Sequence, residues 1–566
     1  MITDMEPQAV VSTPPPHPGQ LKSSHTESWL LSESRYGAIP RPDIRLPMWT
    51  RSLALGHLDR LLVAFRTLLS AESMFVGTHI EVPSKDGDRR PRTVDLIISS
   101  IEADEHGLPI LPDPGSESWN DAAADLLTAA WFSHTQHAAE LVETALRELA
   151  AGRLTAAAAL CRTAVEMAAR MLTGIELLEQ ASTDGERRDR LDWLVRAGGR
   201  APGQRTSITD RVNRLAAVAL DHLGELEPND QRLDRLYKRV CDIAHPSRRN
   251  RKLYLSGRDG LVHFAPPAPP LAVKGPVQRA ARDILDGVTA VAAGMLACWR
   301  RVDALLAVLR PKGPDAARIH SQSSPSGADL AAAYPEVDLS STLAYPLHQM
   351  LDYTIFNDDQ LPVAAPFRIA GFADRWLAGV SWSPDDTGEP ELQAWTGVRL
   401  WICSEMLQAL VESLNLGECA TATALGRFLL EHLAAFDSAI RADDQADRCR
   451  RLRDNEDGRP TEDWIDHLLQ RTGMSRHGSR EQVNGVAAAR VIRDAANGLV
   501  HADFSARSIY WTRYRGADDP GVVRVPGRPM FPLATNNRDI SDPWVIAGST
   551  VLFAEAALTA AVVPGF

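Results

Sequence analysis

Apolar residues recur at three- and four-residue spacing along most of the chain, and that period predicts helices. Leu141, Ala145 and Leu149 share one stripe within 120 to 150, and Leu160, Ala164 and Met167 share another within 153 to 173. The same period returns over 392 to 415 and 418 to 440, so two helical hairpins are expected, each burying its stripes as a bundle does. Strict alternation in "TVDLIISSIEA", 93 to 103, predicts a strand. The stretch "PKGPDAARIHSQSSPSG", 311 to 327, mixes Pro, Gly and Ser without a period and reads as a linker. The expected fold is mainly α: two tandem helical-bundle units with short extended segments behind an N-terminal leader.

The pattern on either side of the linker repeats. "GRLTAAAALCRTAVEMAARM" from Gly152 aligns without gaps to "GECATATALGRFLLEHLAAF" from Gly417, an offset of 417 − 152 = 265, and pairs Arg162 with Arg427 and Glu166 with Glu431. Further on, "LYKRVCDIAHPSRRNRKLYL" aligns to "IRDAANGLVHADFSARSIYW", pairing His245 with His501 and Tyr254 with Tyr510 at an offset of 501 − 245 = 256. Each second block is followed by a Gly-containing extended stretch, "GLVHFAP" or "GVVRVPG", and then an apolar helix. The chain therefore reads as one unit present twice. The boundaries that follow are a disordered leader at 1–47, an extension with a helix and short strands at 48–119, a first unit at 120–310, a linker at 311–335 and a diverged second unit at 336–566. The insertions at 174–232 and 441–487 are charged and read as solvated.

Composition narrows the class without naming it. The 566 residues exceed what one hydrophobic core usually serves, so more than one domain is expected. A net charge of −12 argues against a surface that binds polyanions all over, although a local basic patch can still hold phosphate. Six scattered cysteines with no C-x-x-C pair indicate neither a zinc ribbon nor a disulfide framework, which fits a reducing cytoplasm. The leader carries "STPPPHPGQ" and no basic segment followed by an apolar run, so no export signal is expected. The C-terminal run "VIAGSTVLFAEAALTAAVVPGF" contains Glu555 and many small residues and reads as a core helix, with no membrane span. No phosphate loop, dinucleotide fingerprint or metalloprotease motif is present, and no metal or cofactor is indicated.

Chemistry concentrates around His245. Pro246 disfavours helical geometry in the residue before it, so the helix ends at the histidine. Arg239 lies six residues earlier, and Arg248, Arg249, Arg251 and Lys252 follow at once. An imidazole can take a proton from a 2′-hydroxyl near neutral pH, an arginine can stabilise charge on phosphorus, and clustered cations can hold phosphates. The plain alternative is a histidine capping a helix end beside a solvated basic face. Arg162 with Glu166, and Arg427 with Glu431, stand one turn apart and read either as helix-to-helix clamps or as groups that orient the histidine; Tyr254 and Tyr510 read as structural landmarks. Cys241, one turn before His245, reads as a small apolar filler.

An all-α unit whose late helix carries Arg-x(4 to 6)-His resembles the HEPN superfamily, named for its occurrence in higher eukaryotes and prokaryotes and for nucleotide binding. The resemblance implies a metal-independent endoribonuclease or a nucleotide-binding protein of a bacterial defence or toxin-type system. His245 would be its acid/base and Arg239 its charge stabiliser. It also implies two units paired with their motifs facing one cleft, here within one chain, and RNA or a nucleotide as partner. The second copy departs from the pattern: His501 is kept, but Ala495 stands where Arg239 would be. Two other readings stay open, a non-catalytic helical scaffold that binds another protein, and a small-molecule enzyme with a pocket between the units.

Overall fold

The computed structural model describes residues 93–102, 109–196, 207–223, 235–258, 261–264, 275–309, 320–324, 381–382, 389–415, 419–454, 512–514 and 522–525. His501, Tyr510, the N-terminal leader and the C-terminal apolar run lie outside them. Among the described residues the protein is mainly α.

The first hairpin is α1 (Trp119–Ala150) and α2 (Leu154–Glu179), within a few residues of the stripes that predict it. Nearly every side chain of α2 is buried, because α2 is the axis of the assembly: α1, α3 (Asp184–Arg196), α4 (Ile208–Leu223), α5 (Leu236–Ala244) and α7 (Pro276–Leu309) all pack on it. Its alanines permit close approach, and Gly287 of α7 lies where any Cβ would meet Cys161. The second hairpin is α8 (Glu389–Asn415) and α9 (Cys419–Ile440), followed by α10 (Gln445–Asp454). Both α8 and α9 pack on α2, and α9 also meets α1, so the two hairpins share one hydrophobic core.

The charged insertion at 174–232 is more regular than its composition implies, since it supplies α3 and α4. Their arginines reach back to neighbouring elements: Arg188 pairs with Asp113 at 3.1 Å and Arg214 with Glu176 at 2.9 Å.

Strands are short and antiparallel. The predicted strand is β1 (Thr93–Glu102), flanked by β4 (His320–Ser324) and β7 (Val522–Val525), with β6 (Thr512–Tyr514) beyond β7. Thr93 pairs with Ser324 and Ile97 with His320, so part of the linker stretch is a strand whose ladder bonds to β1 outweigh its lack of apolar side chains. A hairpin of β2 (Leu255–Arg258) and β3 (Leu261–Phe264) pairs with β5 (Ser381–Trp382).

Candidate functional site at the seam of the hairpins

The helix α5 stops where Pro246 dictates. His245 is extended at φ −90° and ψ 160°, its N–H still bonded to the Cys241 carbonyl at 2.9 Å. Ser247 then caps the short α6 (Arg248–Lys252) by accepting from the Asn250 N–H at 3.1 Å. The histidine thus sits in a tight corner between two helices. That corner is pressed into the second hairpin.

Four contacts fix it there. His245 Nδ1 lies 2.5 Å from Glu431 Oε2 of α9, and its ring packs on Phe428 with centroids 5.3 Å apart. His432, next along α9, donates from Nε2 to the Ala244 carbonyl at 2.9 Å, satisfying the end of α5. Arg251 of α6, fully buried, donates to the Leu452 carbonyl of α10 at 2.6 Å. The carboxylate–imidazole contact has Nδ1–H as donor, which in the neutral ring puts the lone pair on Nε2. That atom is shut away from solvent and has no hydrogen-bond partner among the described residues.

Electrostatics explain why a carboxylate is tolerated here. Burial pushes Glu431 upward, but His245 and Arg427 outweigh it and hold the carboxyl well below the usual range. Arg427 pairs with Glu431 at 3.0 Å, while Arg162 of α2 pairs with Glu166 at 2.8 Å. Glu166 accepts the Tyr237 hydroxyl, and Arg162 lies over the Phe428 ring at 5.2 Å. The two Arg-x3-Glu pairs therefore grip opposite ends of α5, Tyr237 at its start and His245 at its end. Burial above all pulls His432 down to about 3, with the charge of Arg399 adding to it, so that imidazole is neutral.

Two further cations of the motif are engaged on α7. Arg239 donates from Nε to Asp283 of α7 at 2.7 Å, and Arg249 pairs with the other oxygen of Asp283. Arg251 is buried, Lys252 is exposed, and the Arg248 side chain lies outside the described set. The structure brings His245, Glu431, Arg427, Arg162 and Glu166 into one cluster and directs Arg239 and Arg249 onto α7. Cys241 is buried, and burial pushes its thiol up, away from the thiolate.

A second set of contacts ties each hairpin to the other's helix start. Glu405 of α8 accepts from the backbone N–H of Thr155 at 3.0 Å and from the Tyr254 hydroxyl at 2.6 Å. Asn250 Nδ2 donates to Thr155 Oγ1, which is 2.6 Å from that hydroxyl. Reciprocally, Glu140 of α1 accepts from the N–H and the Oγ1 of Thr421, at 3.1 and 3.0 Å. Each carboxylate satisfies an N–H that a helix leaves open at its start. Neither glutamate stands out by motif, yet 405 − 140 = 265 is the offset of the first aligned block, the signal by which the pair is visible in the sequence.

No protein-family model, curated protein or solved structure matches the chain. Among the described residues no helix is long and apolar enough to cross a membrane, and no three His, Cys, Asp or Glu side chains come together as metal ligands would.

Proposed function

We propose that this chain is an internally duplicated, HEPN-like helical protein whose two hairpin units pair with each other, and that it acts as a non-catalytic scaffold for protein interaction in the cytoplasm. His245 is then a strut across the seam. The observation that carries this reading is the enclosure of its ring: Glu431 takes one nitrogen, and the other is sealed where no phosphodiester can approach. Arg239, Arg249 and Arg251 are engaged by Asp283 and the Leu452 carbonyl, which fits a structural use of the motif. The reciprocal Glu140 and Glu405 contacts support the duplication, because related units pairing about a two-fold relation make each contact twice.

One observation favours a second reading. A carboxylate that fixes an imidazole's Nδ1, with arginines close by, is also the arrangement that prepares a general base for metal-independent RNA cleavage. Incubation of labelled RNA with the full chain in chelator separates the two. The scaffold reading expects no cleavage by wild type or by His245→Ala. Cleavage by wild type that His245→Ala abolishes overturns it in favour of the nuclease.

A further inference from the structure

Arg399, in the middle of α8, is 1% exposed and among the largest fully buried side chains of the protein. All three of its guanidinium nitrogens lack a hydrogen-bond partner among the described residues. The other arginines of the α2–α9 region are matched: Arg162 with Glu166 and Tyr237, Arg251 with the Leu452 carbonyl, Arg427 with Glu431. For Arg399 no carboxylate among the described residues acts on its charge, which burial and, one turn along, the Cys403 thiol affect. A guanidinium offers five N–H donors and no acceptor, and leaving it buried and unmatched opposes folding. Among the buried unpartnered atoms it stands apart as a whole charged group, which a bound ion of opposite charge would match.

We propose that Arg399 anchors a binding site for a small oxyanion where α8 packs on α9, a phosphate or carboxylate group taken edge-on by the guanidinium fork. The fork matches two oxygens in one plane, which both groups present and chloride does not. The surroundings add little competing charge. His432 of α9, which feels the charge of Arg399, is held neutral and keeps Nδ1 as an acceptor without a partner among the described residues, suited to the one O–H that a hydrogen phosphate retains. Trp395 and Cys403, one turn to either side on the same stripe of α8, are both buried. This site is separate from the His245 strut and does not depend on how that residue is used.

The test is thermal unfolding of the full chain in sodium phosphate, sodium acetate or sodium chloride at matched ionic strength, for wild type, Arg399→Met and Arg399→Lys. We expect phosphate or acetate to raise the wild-type midpoint saturably, by about 2–4 °C beyond chloride, and the responding salt names the group bound. Arg399→Met abolishes that response. Arg399→Lys, which keeps the charge and loses the fork, raises the half-saturating concentration about tenfold. A wild-type response no larger than that to chloride, or one that survives in Arg399→Met, overturns the site. Should Arg399→Met fail to fold, unchanged half-saturation in Arg399→Lys overturns it equally.

Discussion

At the residue scale, the seam turns on the Glu431 carboxylate, held ionised by His245 and Arg427 although burial opposes it. A carboxyl whose folded value lies below its ordinary 4.5 gives stability that is fully present above that pH and is lost as pH falls below it. Acid unfolding of Glu431→Gln should therefore show a shallower loss of stability below about pH 4.5 than wild type, and parallel curves would contradict this. The position of His245 at a helix end is legible in the sequence, because Pro246 fixes it locally. Its partner is not, because Glu431 lies 186 residues away and only tertiary packing brings the two together. The same limit explains Arg239 and Arg249. Their spacing from His245 is a local fact, whereas the carboxylate that draws them off, Asp283, belongs to a helix whose docking no local pattern records.

At the element scale, the three- and four-residue apolar spacing marked both hairpins because each of α1, α2, α8 and α9 packs apolar side chains into the common core, although α2 is buried nearly all round. The charged insertion was harder to read, since α3 and α4 gain stability from arginines reaching neighbouring elements, which composition does not show. The helix starts carry the next expectation. Glu405 satisfies the open N–H of Thr155 at the start of α2, so Glu405→Ala should cost about 1–3 kcal/mol in urea unfolding. Burial also pushes Glu405 up to about 7. Between 4.5 and 7 the folded state then binds more proton than the unfolded one, so this group's contribution is present at the acid end and declines as pH rises. Glu405→Gln should flatten the stability profile across that window, the opposite end of the scale from Glu431→Gln.

At the scale of the whole molecule, the two hairpins bury a common core, and contacts such as Glu140 to α9, Glu405 to α2, Glu431 to His245 and His432 to the end of α5 tie the second hairpin to the first and to the α5 corner packed on it. A mainly α protein was legible from its apolar period, while the interlocked arrangement needed the contacts themselves. The account stands on the claim that His245 and Glu431 act as a pair that joins the α5 corner to the second hairpin. A double-mutant cycle on folding stability addresses that claim directly, using His245→Ala, Glu431→Gln and both together. Breaking a buried, hydrogen-bonded pair predicts a coupling energy above about 1.5 kcal/mol, with each single variant nearly as costly as the double. Additive effects, with coupling below about 0.5 kcal/mol, would contradict the account.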